Sequence, residues 1–433
     1  MGNIKYIIGG AFGIIAIVVI LMFVGVIPGL RVLDKATISK TNLLVWDVED
    51  DKGAYEALIA SFQQKNPGAK ITYVRKAKDT YEQDLLRAFA VGEGPDIFSI
   101  HHTTAIKYSD LLSPAPAEIF PATDFRSSFV DVVQKDFLFN DNVFAAPLYV
   151  DTLALYYNTD LFNSAGIVFP PTTWNEFEKD SRLLTQRRQS GDIIISGAAL
   201  GGGKNVVSAS DILAMFMVQN GAIMINETGK INLRMGGGQS GSVEKAIEFY
   251  TSFARQASPN YSWSGSAAEN SEDMFAQGKV AMMIGYASAR DRIMKKSPRL
   301  RFSIAALPQP VNMVIKKNYA DYRGFSVYKN SPSKDAAWQF IQFLTLPENQ
   351  KYFASVMQTA GSRKSVIAEQ QQEPIVKVFA DQALSATSWL QLDHDVIRDV
   401  FVEMIEAQIS GDQSVKQTIE NGERKINALM KTL

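Results

Sequence analysis

His101, His102 and His394 are the only histidines in the 433 residues, and so the only side chains whose ordinary pKa suits proton transfer near neutral pH. The chain contains no cysteine. That excludes thiol nucleophiles, zinc–thiolate sites, iron–sulfur clusters, disulfides and lipid attachment at cysteine. No HExxH or GxSxG signature occurs, and no glycine pattern sits in the strand–turn–helix setting of a dinucleotide fingerprint. Leu200-Gly201-Gly202-Gly203-Lys204-Asn205 approaches a phosphate-binding loop. Ala198 stands where that loop needs its first glycine, however, and Asn205 where it needs Ser or Thr. It reads as a flexible or ligand-edge loop. Tyr156-Tyr157 offers two phenol oxygens that could hold ferric iron, but neighbours on a strand point to opposite faces, so the pair reads as core. The 45 acidic residues leave a glycosidase-type carboxylate pair open. No catalytic residue, metal site or cofactor is expected.

These residues are set in strands and helices that alternate along the chain. Leu43 to Trp46 is a short apolar strand, followed by apolar positions Tyr55, Leu58, Ile59 and Phe62 at helical spacing, with Asn66-Pro67-Gly68 closing the helix. A strand at 71–74, a helix carrying Tyr81, Leu85, Leu86 and Phe89, and a strand at 96–100 continue the pattern. Such alternation predicts a mostly parallel sheet covered by helices. Pro170-Pro171-Thr172-Thr173-Trp174 reads as a turn opening a helix, with Trp174 structural. Helical patterns follow near 243–257, 334–347 and 396–431.

A chain this long exceeds the size at which one core keeps growing, so two domains are expected. Its 44 basic and 45 acidic residues nearly cancel, which removes the electrostatic footprint of a nucleic-acid binder. From Ile7 to Ile27 the sequence is almost wholly apolar, and a helix rising about 1.5 Å per residue would there cross a hydrocarbon core of about 30 Å. Residues 1–30 are therefore expected to be an N-terminal transmembrane helix, either an anchor or an uncleaved signal, with 31–41 as a tether. Lysines and arginines flank the run on both sides, so charge alone does not orient it.

Five segments occur in an order that resembles the family 1 extracellular solute-binding proteins, the maltose-type, sugar-binding components of ABC importers. They are Gly92-Glu93-Gly94-Pro95-Asp96-Ile97; Phe144 to Pro147 leading into Leu155 to Phe162; Pro170 to Glu176; Phe275 to Met282; and Ser331-Pro332 through Ala336 to Ile341. The resemblance implies an α/β, two-lobed periplasmic-binding-protein fold, type II-like, here behind an N-terminal transmembrane helix. Lobe 1 is expected from 42–150 with about 305–355, and lobe 2 from 151–304 with about 356–433. Hinges are expected near Tyr149 to Thr152 and Ala305 to Pro308. The implied function is capture of a small solute, a mono- or oligosaccharide, between the lobes and delivery to an ABC permease. The implied protein is a monomer held on the extracytoplasmic side of the cell membrane. A ligand sensor of the same fold, or an importer component for a polyamine, iron or phosphate compound, remains open.

Sugar recognition needs planar hydrogen-bonding groups and aromatic faces in a concave site. The resemblance places an acidic residue at Asp151, and polar and aromatic groups at Trp46 and Asp47 after the first strand. Where maltose-type proteins carry a stacking tryptophan after the third strand, this chain has Ile100, then His101 and His102 as polar candidates, a departure that counts against maltodextrin itself. Tyr286 stands one position before a second family tryptophan. Tyr149, Trp263, Tyr322, Arg323 and Trp389 complete the expected ligand-binding set.

Overall fold

The computed structural model describes residues 40–48, 53–226, 230–233, 241–311, 313–391 and 393–429. The expected anchor and most of the tether lie outside the described residues. No helix among the described residues is long and apolar enough to cross a membrane.

Two separate hydrophobic cores account for the two expected lobes. In the first, strand Thr41–Asp47 pairs in parallel with Ala69–Arg75 and Ile97–His101. Helix Ala54–Lys65 covers the sheet, turning Tyr55, Leu58 and Phe62 inward as their spacing predicts. The sheet order is 69–75, 41–47, 97–101, 323–328, 112–113, so a strand from late in the chain, Arg323–Tyr328, is inserted antiparallel beside 97–101. The second core surrounds a sheet ordered 302–305, 154–158, 280–285, 193–199, 186–187. Helix Trp174–Leu184 packs on it. Thr173 caps that helix through the Glu176 backbone N–H, while the Glu176 side chain accepts from the Thr173 N–H. Trp174 is buried and donates from Nε1 to Gln219 Oε1 at 2.7 Å.

A third sheet joins the lobes. Tyr149–Thr152 and Asn318–Asp321 run antiparallel, with Asp151 opposite Asp321, flanked by Ala360–Gly361 and Ala386–Thr387. The chain leaves lobe 1 through the first strand and returns through the second. The return crossing thus comes later than the expected 305–308. Leu307 is still part of the second core, and Gln309 bridges to Thr173 within that lobe. Residues Ala360, Ile367, Phe379, Ala380 and Ala383, expected in lobe 2, are buried in the first core instead, and the chain commits to the second core only from Trp389 onward.

Candidate ligand cleft

A cavity of about 360 Å³ opens between the lobes. Its wall takes Lys78 from lobe 1, Tyr149, Asp151 and Asp321 from the joining strands, and Tyr286 and Arg292 from lobe 2, with Ser288, Asp291, Lys295, Met357 and Thr359 completing it. Acceptors, donors and two phenol rings therefore converge on one concave space, as a small polar ligand requires.

Asp151 is buried on the first joining strand, where its Oδ1 accepts from the backbone N–H of Thr152 at 2.8 Å and of Ala287 at 2.9 Å. Ala287 opens helix Ala287–Lys296, so the carboxyl group sits at the positive end of a helix. Burial outweighs these bonds, and the Asp151 pKa is pushed up to about 7. Tyr286, immediately before the helix, donates from its hydroxyl to Asp211 Oδ2 at 3.0 Å. Its carbonyl accepts from the Tyr156 hydroxyl at 2.7 Å. Arg292 grips the buried Glu272 with two bonds, Nε to Oε2 at 2.8 Å and Nη2 to Oε1 at 2.6 Å.

All three histidines meet beside this wall. His101 lies 4.6 Å from His102 and 4.3 Å from His394 between ring centroids, and its Nε2 is 2.7 Å from Asp321 Oδ1. Burial, with the two neighbouring imidazoles, holds the His101 pKa well below the ordinary histidine value.

The expected binding residues divide into two groups. Asp151, Tyr149 and Tyr286 line the cavity together, and His101 adjoins it through Asp321. His102 lies deeper, stacked on Tyr322, and both bond to Asp136. Trp46 and Asp47 are buried in lobe 1; the Lys76 ammonium sits 3.7 Å from the Trp46 ring centre, and Asp47 Oδ1 accepts from the Val48 N–H. Arg323 binds the hydroxyl and carbonyl of Ser99 inside the same lobe. Trp263, expected in the cleft, is core in lobe 2, with Nε1 on Asn205 Oδ1. Trp389 stacks on Phe401 in that core. The bulk of these rings decides the matter, because burying them removes more apolar surface from water than a polar cleft would.

Sequence reasoning passed over Lys78, Arg292 and Asp321. Asp321 stands immediately before Tyr322, which belongs to the expected set. Asp321 ends its strand on the cavity wall, whereas Tyr322, in the step between that strand and Arg323–Tyr328, is buried in the first core. The glycine loop 201–203 is also explained: Gly203 N–H and Lys204 N–H both donate to Glu406 Oε1, so a carboxylate of the chain itself occupies that backbone cradle.

Residues 46–351 match the sequence pattern of the bacterial extracellular solute-binding proteins. The chain belongs to that family. Among curated relatives, this solute-binding protein is 24% identical over 333 residues to a binding protein of Brucella abortus, covering 74% of this chain and 76% of the relative. It is 21% identical over 409 residues to an ABC transporter extracellular-binding protein of Pyrococcus horikoshii, covering 90% of this chain and 86% of the relative. Among solved structures, the sugar-binding protein MalE of Xanthomonas citri superposes with a TM-score of 0.74 at 20% identity, over 90% of this chain and 98% of that one. An ABC substrate-binding protein of Listeria monocytogenes in complex with cycloalternan gives 0.73 at 18% identity, over 91% and 100%. These likenesses establish the two-lobed α/β fold of the solute-binding protein.

Proposed function

We infer that this solute-binding protein captures a carbohydrate, a mono- or oligosaccharide, in the interlobe cavity and passes it to an ABC permease on the extracytoplasmic side of the membrane. The observation that carries the reading is the cavity wall itself, in which Asp151 and Tyr149 from a joining strand meet Tyr286 and Arg292 from lobe 2. Carboxyl and guanidinium groups suit paired sugar hydroxyls, and the tyrosine rings suit the apolar face of a pyranose. The sugar ligands named for structural neighbours, cycloalternan in Listeria and acarbose in Streptomyces glaucescens, support the same class. The apolar run 7–27 is the membrane anchor in this reading, which a mature N-terminus beginning after residue 30 would overturn.

Thermal shifts across monosaccharides, oligosaccharides, polyamines, phosphate and ferric citrate test the ligand class. A true ligand at 100 times its Kd adds about 2.7 kcal/mol of stability. Stabilisation by a sugar, weakened by Asp151→Ala, is the expected result. Stabilisation by a polyamine, phosphate or ferric citrate alone would replace the carbohydrate assignment.

A further inference from the structure

The geometry points to a divalent transition-metal site, of the zinc class, formed by His101, His102 and Asp321 where the joining strands meet lobe 1. One ligand atom from each of the three residues lies within 4.8 Å of the others. Two imidazoles and a carboxylate make a donor set suited to a borderline metal such as Zn²⁺, and three protein ligands leave a coordination position for water or solute. Asp321 lines the ligand cavity, so the metal would belong to its wall.

The surrounding bonds hold both rings in place for this role. His102 Nδ1 is 2.9 Å from Asp136 Oδ2, an oxygen that also accepts from the Tyr322 hydroxyl at 2.7 Å. Ser388 Oγ donates to the other oxygen of Asp136 at 2.6 Å. Asp136 can only accept from these groups while ionised, so His102 carries its proton on Nδ1 and presents a bare lone pair at Nε2. Carboxylate, imidazole and metal in series is the arrangement that commonly orients metal-binding histidines. The stack of Tyr322 on His102, at 4.4 Å and 13°, fixes the ring plane.

His101 is held from its other nitrogen. Thr103 Oγ1 lies 2.7 Å from Nδ1, and the Thr103 N–H approaches the same atom at 3.4 Å. Without metal, the ring proton sits on Nε2 and is donated to Asp321. On metal binding, that proton moves to Nδ1 and is donated to Thr103 Oγ1, while Nε2 and the Asp321 carboxylate turn their lone pairs to the cation. The ring stays neutral throughout, so no proton is released there. This inference does not rest on the carbohydrate reading, and its test uses no sugar.

The experiment is calorimetric titration of Zn²⁺ into the full chain, prepared without a histidine tag, stripped with EDTA and held in detergent. One equivalent is expected to bind, and His102→Gln and Asp321→Asn are each expected to weaken binding at least tenfold, whereas His394→Gln keeps the wild-type affinity. Titration of Co²⁺ into the unaltered protein reads the site without any substitution, with visible absorption of a low-symmetry nitrogen–oxygen site expected at one equivalent. Absence of both the heat and the absorption would overturn the proposal. So would folded His102→Gln and Asp321→Asn variants that bind as tightly as the parent, because the metal would then lie elsewhere.

Discussion

Asp151 carries a pH dependence that its burial makes calculable. An unfolded chain releases this proton near the ordinary value of 3.8, whereas the folded protein holds it to about 7. Between those limits the folded state binds more protons, so the group's contribution to stability falls as pH rises through the interval and is level above it. Asp151→Asn keeps an oxygen for the Thr152 and Ala287 N–H groups but cannot ionise. Relative to the parent, the variant is expected to gain up to about 4 kcal/mol between pH 4 and pH 8. Urea midpoints of both proteins at several pH values check this, and parallel profiles would refute it. Gln382 is the second informative residue. It is buried against the joining strands, accepting from the Leu307 N–H at 2.8 Å and donating to Thr152 Oγ1 and the Leu153 carbonyl. Gln382→Ala strands these groups away from water and is expected to cost about 3 kcal/mol in denaturant unfolding.

At the scale of elements, close approach of backbones governs what is tolerated. Strand Ile193–Ala199 lies so near helix Trp174–Leu184 that a Cβ on Gly197 would stand 1.9 Å from the Ser181 carbonyl oxygen. Gly197→Ala must push strand and helix apart, and a loss of at least 2 kcal/mol in chemical denaturation is expected. A stability equal to the parent's would show that the helix shifts freely. Elements of this kind were legible in the sequence wherever local physics sets them. The face of helix 54–65, the start of helix 174–184 at its capping box and the joining strand at 149–152 all follow from spacing, turn chemistry and family resemblance. The cleft was less legible, because Asp321 and Tyr322 are neighbours where the joining strand ends, and no local pattern says which of the two side chains faces the cavity. The return crossing was expected at 305–308 from the resemblance alone. Here Gln219 of lobe 2 donates to the Pro308 and Lys317 carbonyls and holds that segment against lobe 2, so the crossing comes later.

For the whole molecule, polar contacts between described residues of the two lobes hold them in register. Lys107 of lobe 1 pairs with Glu82 and reaches Asp393 Oδ2 at 3.2 Å, the residue that caps helix His394–Ser410 of lobe 2. The Gln391 N–H of lobe 2 donates to the Thr103 carbonyl of lobe 1 at 2.9 Å. A ligand touching both lobes favours the closed arrangement by its differential binding energy alone. Small-angle scattering is therefore expected to show a smaller radius of gyration with saturating ligand, and Lys107→Ala is expected to change ligand affinity while altering stability by no more than about 1 kcal/mol. An unchanged radius together with an unchanged affinity would remove lobe closure from the account.

The late strand Arg323–Tyr328, seated between 97–101 and 112–113, also sets a timetable. At a synthesis rate of roughly 5–20 residues per second, roughly 15 to 60 s separate the first strand from this one. Throughout that interval the first sheet lacks an inner member, so the emerging polypeptide cannot lock into its final shape. For a protein of an extracellular binding family, that strand order leaves the first lobe unfinished until most of the chain's length has been made.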